Sequence, residues 1–355
     1  MKREPASSTA ETDLRRVLEH YDLGSLLTWH QAESGHVNEN WFVTTTSGRY
    51  FLKRRHPGLR HPDAIYHPDI IRPQHELVIR LRQAGFPAPA LVPAAGGETL
   101  LVLESECIEL QEFIEGHPYD HGRPPHLDEA AATLARYHKL VSSLVREPLC
   151  DRDVLYAPAR VQEHLSRLDE AWRLGEEPDL IPLVQRLADH AVDLQGGFAG
   201  HGELPHLVIH GDYYGGNLLF AGDRIAGVVD YDRARWNPRV VELAEALIYF
   251  SSARQGPLKH LVYPGVLCWD TFTRFLRGYG RVLSLPEGGE LAALPDTIRC
   301  IWLQMALQRQ EEAFPRLPAD PRATLQELLV LGDWARDNGP LMVETVQSVA
   351  ESALG

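Results

Sequence analysis

The sequence predicts an α+β fold with two unequal parts, a small β-rich part in residues 1–111 and a larger, mainly helical part in residues 112–355. Two β-hairpin patterns lie in the first third of the chain. Apolar residues at helical spacing dominate the remainder. One strand–loop–strand–turn–strand unit, residues 207–230, interrupts these helices. A connector at about residues 112–116 is expected to join the two parts.

Turn and breaker residues define the N-terminal elements. Residues 1–12 are polar and are interpreted as a tail. The predicted elements that follow are a helix at 13–26, strands at 41–46 and 49–53, a loop at 54–73, a helix at 74–84, and strands at 99–104 and 107–113. Ser47-Gly48 supplies the turn of the first hairpin, and Gly85 ends the second helix. Four prolines and few apolar residues predict the loop between them.

Apolar periodicity predicts most of the C-terminal elements. Helices are expected at 127–144, 161–174, 180–194, 239–250, 268–281, 294–314 and 322–350. Apolar runs at 207–209 and 225–229 are predicted as strands, and Gly222-Asp223 as a turn. The C-terminal part is therefore expected to hold a short β unit inside a helical body.

Composition and charge argue against several classes of protein. The 355 residues are 44% hydrophobic, which is enough for a sizeable core. A net charge of −14 argues against a nucleic-acid or anionic-membrane partner and is compatible with a cationic small substrate. The four cysteines lie far apart, and no apolar run approaches the roughly 20 residues of a membrane span. Because the first residues also lack an apolar signal-peptide core, a cytoplasmic location is expected.

The most informative segment is residues 210–217, His-Gly-Asp-Tyr-Tyr-Gly-Gly-Asn. It places Asp212 and Asn217 on one loop after a predicted strand, and Asp230 ends the next apolar run. This is the layout of a phosphoryl-transfer loop, in which Asp212 is the base and Asn217 and Asp230 hold Mg²⁺. Each residue alone could equally cap a turn or a strand end. Their order and spacing favour the catalytic interpretation.

Other polar residues are given structural roles. His210 is expected to hold the loop by hydrogen bonding, and Asp232 to act structurally. His138 lies on the apolar face of a predicted helix and is interpreted as a core histidine. A loop metal site is disfavoured because the spacing fits no compact ligand set. The histidines in question are His56, His61, His67 and His75.

The N-terminal part contains candidates for nucleotide binding. Lys53 ends a predicted strand and could reach the α- and β-phosphates if a carboxylate fixed it, with Glu76 as the candidate partner. Gly35, in a polar segment before the first hairpin, could allow the chain to fold over the phosphates. The alternative interpretations are that Lys53 and Glu76 are solvated surface charges and that the connector at residues 112–116 is simply a linker. The connector residues proposed to hydrogen-bond the nucleobase through their backbone are Glu112, Phe113 and Ile114.

These motifs resemble those of the aminoglycoside phosphotransferase/choline kinase-like superfamily, which includes type II homoserine kinase-like enzymes. Residues 210–217 match its His-Gly-Asp-x-x-x-x-Asn signature, and residues 229–232 match the context of its metal-binding Asp. Lys53 and Glu76 look like the phosphate lysine and its helix glutamate, and residues 112–116 look like the hinge.

The similarity extends over roughly residues 30–250, with two departures. Residues 236–238, Trp-Asn-Pro, stand where the family often has Gly-Asp-Pro. Residues 242–244, Glu-Leu-Ala, stand where it often has Asp-Leu-Ala. Neither departure removes a catalytic group, so they bear on subfamily and substrate rather than on activity.

The resemblance implies a protein-kinase-like bilobal fold that uses Mg²⁺ and ATP, with GTP not excluded. It implies transfer of the γ-phosphoryl group to a hydroxyl of a small molecule, and homoserine-like, choline-like and aminoglycoside acceptors stay open. A kinase-like scaffold without catalysis is the alternative. A protein kinase is disfavoured, because Gly211 replaces the usual Arg and no Ala-Pro-Glu-like segment follows Asp230.

Overall fold

The N-terminal part of the chain forms an antiparallel sheet accompanied by helices. The computed structural model describes residues 8–32, 38–55, 67–104, 106–150, 152–172, 177–252, 267–312 and 320–354. The strands of the sheet are β1 (Leu26–Gln31), β2 (Glu39–Thr45), β3 (Gly48–Arg55), β4 (Leu100–Leu103) and β5 (Glu106–Glu112). They lie in the order β1-β2-β3-β5-β4. The helices are α1 (Ser8–Leu18) and α2 (Pro68–Gln83).

The two faces of this sheet differ, because side chains alternate along each strand. On one face, Trp41, Val43 and Leu52 join a core with Leu14 and Val17 of α1. The opposite face carries charged side chains that are nevertheless buried, namely Lys53, Arg55 and Glu109. Buried charges need partners, and the next part of the chain supplies them.

The C-terminal part is mainly helical. Its helices within the described residues are α3 (Pro124–Leu144), α4 (Pro158–Trp172), α5 (Ile181–Phe198), α6 (Arg239–Ser251), α7 (Trp269–Gly280), α8 (Gly288–Glu312), α9 (Pro321–Asp337) and α10 (Gly339–Leu354). A single large hydrophobic cluster runs through them. Helix α6 is buried from Val240 to Ser251, so it forms the centre of this part.

Short strands hold the predicted catalytic segment against α3. The strands are β6 (His117–Pro118), β7 (His206–Ile209), β8 (Leu218–Ala221), β9 (Arg224–Val228) and β10 (Arg235–Pro238), paired in the orders β6-β8-β9 and β10-β7. Tyr137 of α3 donates a hydrogen bond to the Val208 carbonyl at 3.0 Å, and Tyr213 donates to the Ala130 carbonyl at 2.8 Å. The loop at residues 210–217 is therefore fixed to α3 at its entrance and its middle.

Most predicted elements are confirmed to within a few residues. Both hairpins form, with β2 paired to β3 and β4 paired to β5. The strand–loop–strand unit is present as β7, β8 and β9. The predicted helix at 322–350 is divided at Asn338 into α9 and α10, and α8 begins at Gly288 rather than near residue 294. Strands β6 and β10 were not predicted, because runs this short carry little periodic signal.

The predicted helix at 13–26 is wrong in its second half. Helix α1 ends at Leu18, and strand β1 begins at Leu26. Gly24 between them has φ of +71°, a conformation that a right-handed helix does not contain. Leu26 pairs with Thr45 of β2, so its burial comes from the sheet rather than from a helix.

The predicted loop at 54–73 is also corrected at its C-terminal end. Helix α2 begins at Pro68, six residues before the predicted start. The Asp69 N–H donates to His67 Nδ1 at 3.3 Å, which caps the helix. Pro68 suits the first helical position, where a missing N–H costs nothing, and Pro73 is accommodated inside the helix.

The predicted division between residues 111 and 112 stays a prediction. Strand β5 continues to Glu112, so the connector begins at the end of the strand.

Among the described residues, no helix combines the length and the apolar character that crossing a bilayer requires.

Candidate active site

The loop after β7 turns sharply at Gly211. This residue has φ of +76°, and a Cβ placed on it would lie 2.6 Å from the Arg233 carbonyl oxygen. Its N–H donates to Glu242 Oε1 on α6 at 2.7 Å. Next to it, His210 is fully buried and makes contacts at 3.1 Å with the Val229 carbonyl and at 3.3 Å with the Asp212 N–H. His210 therefore holds the loop by hydrogen bonding, and only glycine fits the following position.

Asp212 lies at the centre of the loop, between an amide and a guanidinium. Asn217 Nδ2 donates to Asp212 Oδ2 at 2.7 Å, and Arg233 Nη1 lies 3.4 Å from Asp212 Oδ1. Burial raises the pKa of Asp212 above its ordinary value, while the charge of Arg233 lowers it. A carboxylate that is oriented and more basic than usual is suited to accept a proton from a hydroxyl group.

Asn217 and Asp230, the predicted metal ligands, are brought to the same site. The Val229 N–H donates to the Asn217 carbonyl at 3.0 Å, which ties the residue before Asp230 to the loop. Asp230 has φ of +69°, a strained conformation for a residue other than glycine, and its side chain is 42% exposed. The amide nitrogen of Asn217 is used by Asp212, so its oxygen is the atom that can ligate a cation.

The donor set fits Mg²⁺ better than a fully protein-held metal. Mg²⁺ prefers hard oxygen ligands and usually takes one or two from the protein, with the rest from phosphates and water. Asn217 and Asp230 supply one amide oxygen and one carboxylate. Within the described ranges, no cluster of three or more His, Cys, Asp or Glu side chains is arranged to hold a metal ion.

Lys53 is buried next to Asp230. Its Nζ atom lies 2.8 Å from Asp230 Oδ1 and 2.7 Å from Asp232 Oδ2, and its side chain is 5% exposed. Burial alone would lower the pKa of Lys53, but these two carboxylates raise it above its ordinary value. Lys53 is therefore a charged group held beside the candidate metal site, where phosphates would meet it.

The predicted Lys53–Glu76 pair is not formed. Glu76 lies on the exposed side of α2, whereas the buried polar positions of that helix are Gln74 and His75. The carboxylate that the sheet places opposite Lys53 is Glu109, its register partner on β5. The prediction missed this because it used the helix pattern of the family, whereas this helix turns a neutral amide and an imidazole toward the site.

Asp232 links the sheet to the catalytic segment. It accepts hydrogen bonds from Arg55 Nη2 at 2.6 Å and from Asn38 Nδ2 at 3.1 Å, in addition to its contact with Lys53. Burial alone would raise the pKa of Asp232, but Arg55 and Lys53 hold it well below its ordinary value. The structural role expected of Asp232 is therefore to join the N-terminal sheet to the segment after β9.

Arg55 is a residue that sequence reasoning missed. Its side chain is 2% exposed, and Nη2 also bonds Glu109 Oε2 at 2.6 Å. His75 Nε2 lies 2.9 Å from the same Glu109 oxygen, which completes a buried network. The alternation of the strand could have indicated Arg55, because a residue two positions after Lys53 on a strand faces the same side.

The connector is partly engaged in other hydrogen bonds. The Glu112 N–H donates to the Ala90 carbonyl at 2.9 Å, and the Phe113 N–H donates to the Arg49 carbonyl at 3.0 Å. Ile114 packs against Gly227, where an added Cβ would lie 2.8 Å from Ile114 Cδ1. The N–H groups of Glu112 and Phe113 are therefore already used within the N-terminal part, and nucleobase binding by the connector stays a prediction.

The remaining predicted residues fall into two groups. Gly35, His56 and His61 lie outside the described residues. His67 caps α2, and His138 is fully buried, with Nε2 2.8 Å from Glu242 Oε2. His138 is therefore the core histidine that was expected.

The chain is similar to known phosphotransferases in sequence and in structure. The model of the phosphotransferase enzyme family matches residues 28–263. The homoserine kinase of Methylobacillus flagellatus is 27% identical over 241 residues, which are 66% of this chain and 67% of that protein. An aminoglycoside phosphotransferase from Alicyclobacillus acidocaldarius has a TM-score of 0.64 at 18% identity, with 98% of each chain covered. Amicoumacin kinase in complex with AMP-PNP and Ca²⁺ has a TM-score of 0.60 at 15% identity, covering 92% of this chain and 93% of that one.

These similarities confirm two predictions. The solved structures share the α+β, protein-kinase-like arrangement over nearly the whole chain. The family match confirms the resemblance that the loop motif and the metal-binding Asp indicated.

Proposed function

Because the chain belongs to the phosphotransferase enzyme family, we propose that it transfers the γ-phosphoryl group of ATP to a hydroxyl of a small molecule in the presence of Mg²⁺. It is a small-molecule kinase. The finer proposal rests on two close pairs, Lys53 with Asp230 at 2.8 Å and Asn217 with Asp212 at 2.7 Å. The hydrogen bond from the Val229 N–H to the Asn217 carbonyl at 3.0 Å joins the two pairs.

Each of these residues has a role that follows from its contacts. Asp212, oriented by Asn217, would receive the proton of the acceptor hydroxyl as the new bond to phosphorus forms. Lys53 would exchange its contact with Asp230 for one with the phosphates. Asn217 and Asp230 would hold Mg²⁺, which offsets the negative charge of the phosphates when bound.

The same sheet face offers a place for the nucleobase. Phe42 lies 5.3 Å from Phe51 and 5.7 Å from Phe113, measured between ring centroids. Phe51 is two positions before Lys53 on β3 and therefore faces the same side. Together with Ile114, this aromatic group would stack on a purine, while backbone atoms from Ile114 onward would meet its edge. Recognition by backbone atoms fits ATP and does not exclude GTP.

Amicoumacin kinase, whose structure contains AMP-PNP and Ca²⁺, supports a nucleotide and a divalent cation at this site. The homoserine kinase of Methylobacillus flagellatus supports a small acceptor with a hydroxyl group. In this chain such an acceptor would lie beside Asp212, on the side of the loop that faces α6.

Thermal unfolding with and without Mg-ATP tests the proposal. A ligand at 100 times its dissociation constant adds about 2.7 kcal/mol to the free energy of unfolding. We expect this stabilisation in the parent, its loss in Asp230→Asn, and its retention in Asp189→Asn, an exposed control on α5. Asn is the chosen replacement because it tolerates the positive φ of residue 230. If neither ATP nor GTP stabilises the parent at millimolar concentration, the chain is a kinase-like scaffold instead.

A further inference from the structure

A second carboxyl group lies close to Asp212 on the α6 side of the loop. Glu245 is fully buried, and its Oε1 atom accepts a hydrogen bond from the Tyr156 hydroxyl. Its Oε2 atom is also buried and has no hydrogen-bond partner among the described residues. An unsatisfied carboxyl oxygen inside a protein is costly, and its occurrence calls for an explanation in terms of function.

Arg233 lies between this carboxyl group and the proposed base. Its Nη1 atom is 3.4 Å from Asp212 Oδ1 and 4.0 Å from Glu245 Oε1. Both distances exceed the ~2.7–2.9 Å of a strong charge-assisted hydrogen bond. The Arg233 side chain is 25% exposed, whereas that of Glu245 is 1% exposed. Arg233 therefore lies between Glu245 and the cleft, but it forms no hydrogen bond with the buried Oε2 atom of Glu245.

The surroundings of Glu245 are short of positive charge. Burial, followed by the charge of Asp212, raises the pKa of Glu245 to about 8, although Arg233 opposes this shift. The titratable groups that face it are Arg233, Asp212, Tyr156, Glu242 and Tyr249. Arg233 is the sole cation in this set, so at neutral pH the Glu245 carboxyl group is largely protonated.

Aromatic side chains line the same place. Tyr249 lies one helical turn after Glu245 on α6, and its ring centroid is 5.4 Å from that of Tyr214 in the catalytic loop. Tyr156 contacts Glu245 directly through its hydroxyl group. Aromatic rings next to a carboxyl group favour an organic cation, through the ring faces and through charge.

We propose that Glu245 recognises the amine of the acceptor, so that the substrate is a short amino alcohol with its ammonium group at Glu245 and its hydroxyl group at Asp212. This inference rests on the proposed function. A single Arg233 nitrogen contacts both carboxyl groups, so a small molecule can span them. The Arg233 side chain would turn toward the phosphates of the nucleotide, and the substrate ammonium group would take its place.

Binding of an ammonium group at Glu245 has a measurable consequence. The ammonium group stabilises the ionised carboxylate, so a protonated Glu245 releases its proton when the amino alcohol binds. Affinity should therefore rise as the pH increases from about 6.5 to 8.5, and level off once Glu245 is already ionised in the free protein.

The substitution Glu245→Gln tests the proposal, because glutamine keeps the shape and can still accept the Tyr156 hydrogen bond. The probes are L-homoserine and 1-amino-2-propanol, compared with the amine-free 4-hydroxybutanoate and propane-1,2-diol. We expect KM for the amine probes to rise at least tenfold in the variant. KM for ATP and KM for the amine-free probes should stay close to those of the parent, and Tm should not fall, because the buried carboxyl group with its raised pKa costs stability that glutamine does not. Glu287→Gln, at an exposed position, should leave every value unchanged.

Two further measurements support the interpretation. Calorimetric titration of L-homoserine in two buffers of different ionisation enthalpy should detect proton release in the parent and none in Glu245→Gln. Glu245→Asp, which keeps the charge, should have a lower KM for the amine probes than Glu245→Gln. A structural role for Glu245 would produce neither result.

The outcomes separate this proposal from the proposed function. If Glu245→Gln raises KM equally for probes with and without an amine, or if the parent prefers the amine-free probes, amine recognition is overturned while phosphotransfer stands. If the parent releases no ADP with any probe, both proposals fail.

Discussion

At Asp212, burial and a neighbouring cation act on one carboxyl group in opposite directions. Burial raises its pKa, and Arg233 at 3.4 Å lowers it. The net effect is a carboxyl group that is more basic than an exposed aspartate. The base must be ionised to act, so turnover is expected to fall as the pH decreases through the raised pKa of Asp212.

Asp212→Asn should separate activity from stability. We expect kcat to fall by about 10²- to 10⁴-fold, because asparagine cannot accept the proton. The midpoint of thermal unfolding should rise, since a carboxyl group whose pKa is raised on folding costs stability at every pH above its unfolded value. Initial rates of ADP release and a melting curve at pH 7.5 measure both effects. Unchanged turnover would contradict the assignment of Asp212 as the base.

Asp232→Asn should lower the free energy of unfolding by more than the substitution of a typical surface carboxylate does. Arg55 is buried and would keep only Glu109 as a charged partner, at a cost of about 3 kcal/mol. The matched control, Glu76→Gln, changes an exposed residue and should stay within about 0.5 kcal/mol of the parent. Urea unfolding at pH 7.5 measures the difference.

The difference in unfolding free energy between the parent and Asp232→Asn has a predictable pH dependence. The pKa of Asp232 is lowered on folding, so its contribution is fully present above the ordinary carboxyl value of about 4 and is lost progressively as the pH falls from there through the lowered pKa. The stability difference between parent and Asp232→Asn should therefore shrink in acid. A difference that stays constant from pH 7.5 to pH 2.5 would contradict the ion-pair explanation.

At the scale of elements, the turn at Gly211 depends on the absence of a side chain. Gly211→Ala would place a Cβ 2.6 Å from the Arg233 carbonyl oxygen, in a backbone conformation already unfavourable for alanine. We expect a loss of 3 kcal/mol or more, roughly, and loss of turnover because Asp212 shifts. Gly222→Ala is the control, since Gly222 has φ of +63° with open space around it and should cost about 1 kcal/mol. Equal melting temperatures for the two variants would show that crowding at Gly211 is unimportant.

The elements that sequence predicted correctly are those with a local physical cause. The hairpin of β2 and β3 follows from alternation and a turn, and the loop at 210–217 follows from its motif. The partner of Lys53 could not be predicted in this way. Glu76 lies on the exposed side of α2, and the carboxylates that contact Lys53 are those of Asp230, 177 positions away, and Asp232. Only the packing of one element on another decides that.

The recognition role proposed for Glu245 illustrates the same limit. In sequence, Glu245 is one of two glutamates in a largely apolar helix pattern, and it is separated from Tyr156 by 89 positions. A buried carboxyl group with one unsatisfied oxygen becomes visible only when α6, the segment before α4 and the catalytic loop are placed together. Sequence alone therefore indicated the phosphate side of the site more fully than the acceptor side.

At the scale of the whole molecule, the sheet and the helical part share their charges. Lys53 and Arg55 come from the sheet, and Asp230 and Asp232 come from the segment after β9. Separating the two parts would expose charges that each part buries against the other. We therefore expect a single unfolding transition in calorimetry, with the calorimetric and van't Hoff enthalpies equal. Two resolved transitions would contradict this coupling.

The ion pairs between the sheet and the segment after β9 also limit which fragments of the chain could be transferred to another protein. A fragment that ended at residue 111 would present Lys53 and Arg55 on a bare sheet face, with Glu109 as their remaining buried carboxylate. Such a fragment would be a poor nucleotide-binding cassette for transplantation into another protein. A useful graft would have to carry residues 228–234 along with the sheet, although more than a hundred residues separate them in the sequence.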